Sequence, residues 1–159
     1  MEGMQKGFGL IEGMLAVTLT AVLIIVALPA YQNYVKEANM TKVNTSYEEA
    51  LRLARITFVK GDAQIALGLT STIPKDSAGW IAVLNSESSL APGGGSAYQE
   101  VANSVTGVVG IQGDNSFVTI SRPEYWGLAE TSKTIRNSAD PVNNELKAQE
   151  SVLEITPDE

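Results

Sequence analysis

Glu12 is the residue of this sequence whose surroundings most need a chemical explanation. An apolar run follows it as far as Tyr31, and the next charged residue is Lys36. At about 1.5 Å of rise per helical residue, residues 13–35 are long enough to cross the roughly 30 Å hydrocarbon layer of a bilayer. An ionised carboxylate inside lipid costs on the order of 2.5 kcal/mol or more, so a lone acid here indicates a functional site with a partner.

Proteolysis between Gly7 and Phe8 would create a partner for Glu12. The new amino terminus at Phe8 would carry a positive charge four residues from Glu12, and both groups would share one helix face. The two groups can pair within one subunit or between neighbouring subunits shifted along the helix axis. A head-to-tail interface that does not close on itself generates a helical filament.

A family resemblance rests on the run Lys6-Gly7-Phe8-Gly9-Leu10-Ile11-Glu12. This run resembles the processing site of type IV pilins and of the pseudopilins of type II secretion. The short leader 1–7, the proline Pro29 within the apolar segment, and the aromatic pair Tyr31 and Tyr34 also match, so the resemblance covers residues 6–34.

The resemblance implies that a prepilin peptidase cleaves between Gly7 and Phe8 and methylates the amine of Phe8. It implies that Phe8, Glu12 and Pro29 serve assembly. The chain would be a single-pass inner-membrane protein before assembly and part of an extracellular pilus afterwards. Its partners would be further copies of itself, the peptidase, and a pilus assembly ATPase with its platform, and the pilus would serve adhesion, twitching motility or DNA uptake.

Composition excludes several classes of function. The 159 residues carry a net charge of −7 and contain neither cysteine nor histidine, which excludes disulfides, thiol nucleophiles and the usual zinc sites. Nucleic acid is not expected as a main partner, because phosphate contacts need clustered Lys and Arg. No paired carboxylates suggest catalysis, so we expect neither an enzyme nor a cofactor. Many type IV pilins close a C-terminal loop with a disulfide, and this sequence departs from them there.

The predicted fold class is α+β and pilin-like, with a long N-terminal helix packed on a C-terminal antiparallel sheet. We expect a cleaved leader at 1–7, a transmembrane or filament-core half-helix at 8–31, and a globular domain at 32–159. Within that domain we expect an amphipathic helix at 32–60, a connecting loop at 62–97, a sheet at about 98–136 and a polar tail at 140–159. Pro29 should kink or loosen the helix, and Gly61 is predicted to end it.

The amphipathic half of the helix is predicted from apolar residues at three- and four-residue steps. The stripe consists of Tyr31, Val35, Ala38, Val43, Tyr47, Leu51, Ala54 and Phe58. A short helix is expected within 76–85, with Trp80 and Leu84 on one side.

The sheet is predicted from a hairpin in which residues 105–111 and 117–121 flank a turn at 112–115. Pro123 should end the second strand, and 125–128 and 133–135 are candidates for further strands. We expect Trp80, Phe117 and Trp126 to belong to the core.

Several alternatives stay open at this point. A pseudopilin of type II secretion shares the processing motif, and a membrane-tethered periplasmic binding domain shares the anchor. An ordinary signal peptide fits poorly because Glu2 and Glu12 spoil its basic start, and a plain uncleaved anchor leaves Glu12 unexplained. By analogy with pseudopilins, Asp114, Asp140 and Glu145 are candidate calcium ligands, although no dedicated calcium-loop spacing is present.

Overall fold

The structure is a computed structural model, in which residues 9–137 are described. The order of elements is α1 (Leu10–Ala66), α2 (Ser77–Leu84), a 3-10 turn (Asn85–Glu87), and strands β1 (Tyr98–Gln99), β2 (Val109–Gly113), β3 (Phe117–Arg122) and β4 (Thr131–Arg136). The chain divides into two compact units, the first ending at Ala38 and the second beginning at Asn39.

The first unit contains the apolar part of α1. Its large apolar side chains from Leu10 to Leu28 are exposed, each by more than half of its surface. Among the described residues, α1 is the one helix long and apolar enough to cross a membrane, and none of its most apolar window is buried within the chain. A helix that is apolar on every side is stable only in lipid or among other helices, and the described residues of this chain do not cover it.

The second unit is built around the amphipathic part of α1. The predicted stripe is buried from Val43 onward, whereas Tyr31, Val35 and Ala38 are exposed. The buried part of the stripe joins α2 and the sheet in one core, whose largest fully buried side chains include Trp80 and Tyr98. The α+β, pilin-like fold class is confirmed.

The prediction that Gly61 ends α1 is wrong. Gly61 is buried inside the helix, and a Cβ atom on it would collide with the side chains of Ile73 and Ser71. Gly61 therefore lets the following loop pack closely against α1. The helix continues to Ala66, and Gly68, whose φ is +73°, turns the chain away two residues later. There the amides of Gly68 and Leu69 donate to the carbonyls of Ile65 and Gln64, both at 2.9 Å, which closes the last turn.

The short helix predicted within 76–85 is present as α2. Asp76 caps its N-terminus, and its side chain accepts a hydrogen bond from the amide of Gly79 at 2.7 Å. Trp80 and Leu84 are buried on one side, as expected. The ring of Phe58 on α1 lies 5.0 Å from the ring of Trp80, centroid to centroid.

The sheet has the order β1-β2-β3-β4. The predicted hairpin is β2 and β3, which are antiparallel, and β4 continues the antiparallel pairing and includes residues 133–135. The two-residue strand β1 pairs in parallel with β2, so the sheet is mixed. Strand β2 begins only at Val109, and Val105 is 80% exposed.

Residues 125–128 form a tight turn with a single Tyr125–Leu128 bridge, not the strand that the sequence suggested. Trp126 lies in this turn with a φ of +52° and is 57% exposed, so its placement in the core was wrong. The neighbouring Tyr125 supplies the buried ring instead. Of the other two predicted core aromatics, Trp80 is fully buried and Phe117 is partly buried.

Candidate functional site

Glu12 lies in the first turn of α1 and is exposed. Its carboxylate is turned back over Gly9: a Cβ atom built on Gly9 would lie 3.1 Å from Cδ of Glu12 and still closer to one oxygen. The helix dipole stabilises a negative charge in the first turn by about 0.3–1 kcal/mol. This is less than the cost, on the order of 2.5 kcal/mol or more, of placing an ionised carboxylate in lipid. The carboxylate thus faces the N-terminal end of the helix.

The predicted processing residues Gly7 and Phe8 lie outside the described residues, so cleavage and methylation stay predictions. The described residue closest to them in sequence is Gly9, and this is the residue that the Glu12 carboxylate covers. Among the described residues, no acid other than Glu12 lies on α1 before Glu37.

The two threonine hydroxyls of the apolar segment are satisfied within the helix. The hydroxyls of Thr18 and Thr20 donate to the carbonyls of Met14 and Ala16, each at 2.8 Å. Internal satisfaction of this kind is what a lipid or helix-bundle environment requires. Apart from the backbone of its own helix, no atom of the described chain lies within 4 Å of the position that a Cβ on Gly13 would occupy, so the helix surface beside Glu12 has room for another helix.

Pro29 lies inside α1, which continues from Leu10 to Ala66 as one helix. Proline has no backbone N–H, so the carbonyl of Ile25 loses its usual donor in the next turn. Pro29 therefore weakens the hydrogen bonding of α1 locally, and the helix continues through it.

The candidate calcium ligands are not brought together in the described part of the chain. Asp114 stabilises the β2–β3 turn, where its Oδ1 accepts hydrogen bonds from the amides of Ser116 and Phe117 at 2.7 and 3.0 Å. Asp140 and Glu145 lie outside the described residues. Within residues 9–137, no three Asp, Glu, His or Cys residues form a group that could hold a metal ion.

Sequence reasoning missed the contacts of Arg122, which join the sheet to α1. The guanidinium contacts Oδ1 of Asn44, lies 5.4 Å from the ring centroid of Tyr47, and donates to the carbonyl of Ala129 at 3.1 Å and the hydroxyl of Thr131 at 3.2 Å. Nothing in the local sequence distinguishes this arginine from a solvated one. Its role is to position the β3–β4 connection against the helix.

Two tyrosines are buried where α1 packs on the rest of the second unit. Burial, and then the charge of Glu48, raises the pKa of Tyr47, while Arg122 opposes the change. Burial, and then the charge of Glu49, raises the pKa of Tyr98 to about 12.

The sequence was compared with those of known proteins. It is 34% identical to fimbrial protein Q of Moraxella bovis over 101 residues, which are 57% of this chain and 60% of that protein. It is 32% identical to a fimbrial protein of Pseudomonas aeruginosa over 105 residues, 66% of this chain and 64% of the relative. A further match, 42% identical over 43 residues, is the type IV major fimbrial protein FimA of Dichelobacter nodosus, covering 27% of this chain and 28% of FimA.

The resemblance to type IV pilins is confirmed. The chain spans about 60% of the length of the first of these curated relatives. Fimbrial proteins and pilins are structural proteins, so the names of the relatives agree with the prediction that the chain is not an enzyme. No family model and no solved structure matches the chain.

Proposed function

We propose that this chain is a structural subunit of a type IV pilus. The observation that carries the proposal is the first part of α1, where apolar side chains from Leu10 to Leu28 are exposed around the single acid Glu12. The similarity to fimbrial proteins of Moraxella and Pseudomonas supports it.

The exposed apolar surface requires two successive environments. Each Å² of apolar surface left in water costs roughly 25 cal/mol, so the segment must stay covered throughout the life of the protein. The inner membrane covers it before assembly. Neighbouring copies of the same helix cover it in the filament, because a helix apolar on every side is stable only in lipid or inside a bundle.

Glu12 provides an ion pair while the helix moves from the membrane into the filament. A prepilin peptidase removes the leader 1–7 by cutting between Gly7 and Phe8 and methylates the amine of Phe8, which stays positively charged. The carboxylate of Glu12, turned toward that end of the helix, pairs with the amine of a neighbouring subunit as the helix leaves the lipid. The pair neutralises two charges that would otherwise be buried alone among apolar helices.

The two parts of the chain have different places in the filament. Residues 8–31 form the filament core, with Pro29 as a point of adjustment, and residues 32–159 form the globular outer part. A pilus assembly ATPase and its platform drive extraction from the membrane. The finished pilus lies outside the cell and serves adhesion, twitching motility or DNA uptake.

Replacement of Glu12 tests the pairing step. In Glu12→Ala we expect normal removal of residues 1–7, measured by the mass of the membrane-bound chain, and no filaments in the fraction sheared from cells. The matched control is Glu37→Ala, which removes an exposed carboxylate further along the same helix and should leave filaments intact. Wild-type amounts of filament from Glu12→Ala would refute the pairing.

A further inference from the structure

The described part of the chain leaves one apolar surface of α1 uncovered near the end of that helix. Ile56, Val59, Ala63 and Ala66 follow one another at steps of three, four and three residues, so they share one side of the helix. All four are exposed, Ile56 by 52% and Val59 by 67%. We call these four residues the lateral strip. A regular apolar strip on an exposed helix face indicates a surface that a partner covers.

Positive charge flanks the lateral strip. Arg52 and Arg55 are exposed one turn before the first two members of the strip, and Lys60 is exposed beside the second. Residues 50–61 contain no acid. A partner that complements this surface therefore presents an apolar side chain flanked by negative charge.

The same unit carries a surface of this kind at residues 125–128, which we call the tryptophan turn. The amide of Tyr125 donates to the carbonyl of Leu128 at 3.1 Å, and the amide of Leu128 donates to the carbonyl of Tyr125 at 2.9 Å, so two residues form the turn. Trp126 is one of these two residues and is 57% exposed. Glu124 and Glu130 are exposed on either side of the turn in the sequence, and residues 123–130 contain no Lys or Arg.

The backbone of the tryptophan turn does not favour a tryptophan. The φ angles of Trp126 and Gly127 are +52° and +114°, and a two-residue turn with positive φ at both positions prefers Asn-Gly. A bulky side chain at positive φ is strained. The indole is therefore exposed at a cost in stability, which indicates a use outside the fold. Tryptophan is among the side chains that most often anchor protein–protein interfaces.

The two surfaces lie at different heights along α1. A Cβ atom on Gly127 would lie 4.0 Å from Cε of Met40, so the tryptophan turn is beside the first residues that α1 contributes to this unit. From Met40 to Val59 the helix rises roughly 28 Å, at about 1.5 Å per residue. The tryptophan turn therefore cannot reach the lateral strip of its own chain, but it can reach that of a second copy displaced along the helix axis.

We propose that the tryptophan turn of one copy of this chain docks on the lateral strip of a second copy. Trp126 covers the apolar side chains of the strip, and the two acids beside it face Arg52 and Arg55. The interface joins two different surfaces, so it repeats head to tail and extends a filament without closing. This inference rests on the proposed function and names a contact that positions the globular parts of neighbouring subunits.

The contact is small. A buried tryptophan covers about 150–250 Å², well below the roughly 800 Å² per partner of a stable interface. It therefore sets the register of copies that their apolar helices already hold together, because the effective concentration of the two surfaces is high inside a filament. We expect the contact in filaments and not between chains in dilute detergent solution.

The absence of cysteine from the chain allows a direct test by disulfide cross-linking. Val59→Cys and Ala129→Cys are introduced together into the full chain, since Val59 lies on the strip and Ala129 is exposed next to the tryptophan turn. With a mild thiol oxidant, sheared filaments should give a ladder of chains linked head to tail, about tenfold more abundant than from the control pair Val105→Cys and Ala129→Cys. Val105 is an exposed valine of the same unit outside the strip (80% exposed).

The outcomes separate this contact from the proposed function. Filaments that give no ladder, or the same ladder from both pairs, overturn the contact and leave the pilus subunit standing. Dimers from Val59→Cys alone also overturn it, because they would show that two strips meet each other. If wild-type cells make no filaments, the proposed function fails and this contact fails with it.

Replacement of Trp126 distinguishes an interface anchor from a structural residue. Asparagine suits the positive φ of this position, so Trp126→Asn should have an equal or higher midpoint of thermal unfolding in detergent. The amount of sheared filament should fall about tenfold or more, whereas Val105→Asn should assemble normally. Wild-type amounts of filament from Trp126→Asn overturn the proposal, and so does a lower unfolding midpoint, which would show that the indole serves the fold.

Charge reversal tests whether the two surfaces meet. The variants are Arg52→Glu with Arg55→Glu on the strip, and Glu124→Lys with Glu130→Lys beside the turn. Each pair of substitutions should lower the amount of filament about tenfold, because like charges then face each other across the interface. The four substitutions together should restore most of the filament, whereas folding defects at two separate surfaces would add. Failure of the combined variant to recover overturns the pairing of these surfaces.

Discussion

Replacing Tyr98 by phenylalanine should change how the stability of the globular unit depends on alkaline pH. Tyr98 is 1% exposed, and its hydroxyl donates to the carbonyl of Ser46 on α1 at 3.0 Å. Burial, and then the charge of Glu49, raises its pKa from 10.0 to about 12. Because the folded-state pKa lies above the unfolded one, the fold favours the protonated phenol. Its contribution to stability is complete below pH 10 and is lost as the pH rises toward 12.

The magnitude follows from the size of the shift. Two pKa units at 1.36 kcal/mol each correspond to a loss of up to about 2.7 kcal/mol in the free energy of unfolding of the wild type. Tyr98→Phe lacks this loss. At neutral pH the variant is less stable by about 1 kcal/mol, because it lacks the hydrogen bond to Ser46.

The assay is denaturant unfolding of both full-length chains in detergent at a series of pH values from neutral to 12. The difference between wild type and Tyr98→Phe cancels the lysines and other tyrosines that titrate in this range. We expect the two free energies to converge and then cross as the pH rises. A constant difference across the range, or tyrosinate absorbance showing that Tyr98 ionises near pH 10, would show that burial does not raise the pKa of Tyr98.

Three further predictions concern the packing of the same unit. Gly61→Ala should lower the thermal stability, because overpacking against Ile73 costs about 1–3 kcal/mol and outweighs the roughly 1 kcal/mol gained in helix propensity. Adding Ile73→Ala should relieve part of that loss. If the losses of stability of the two single variants simply add in the double variant, the contact between the two residues is contradicted. Asp76→Ala should cost about 1 kcal/mol in chemical unfolding by removing the cap of α2, whereas Asp76→Asn should cost less. Trp80→Phe should cost about 1–3 kcal/mol because the carbonyl of Asp114 loses its buried donor, and an unchanged unfolding midpoint would show that this hydrogen bond contributes nothing.

Elements with strong local signals could be predicted from the sequence. The segment around Trp80 has an Asp cap and two apolar residues one turn apart, and it forms α2. The hairpin has alternating apolar residues on both sides of a turn containing Gly113 and Asp114, and it forms β2 and β3. In each case the capping or turn residue and the apolar spacing indicate the same element, so local and tertiary preferences agree.

Features set by tertiary contacts could not be predicted. Gly61 matches a helix end in sequence, but close packing by Ile73 requires a glycine within the helix. Trp126 has the composition of a core residue, yet its tight turn holds it exposed. The parallel pairing of β1 depends on two residues, Tyr98 and Gln99, which the loop at 100–108 brings beside Val109 and Gly110. None of these features leaves a periodic signal in the sequence.

Some residues of the candidate site could be identified from the sequence, and others needed the structure. Glu12 was identified because it is a lone charge ahead of a long apolar run, a pattern that the order of residues shows directly. The direction of its carboxylate, over Gly9, needed the structure. The contacts of Arg122 with Asn44 and Tyr47 bring together residues far apart in sequence, so no local pattern marks them.

The intact mass of the protein sheared from the cell surface shows whether this chain is a processed subunit of an extracellular pilus. We expect a chain that begins at methylated Phe8 in that fraction, which would establish both cleavage after Gly7 and assembly outside the cell. A processed chain confined to membranes would contradict the pilus and favour a pseudopilin. A chain that still carries residues 1–7, in cells with a working prepilin peptidase, would contradict processing itself and favour a simple membrane tether.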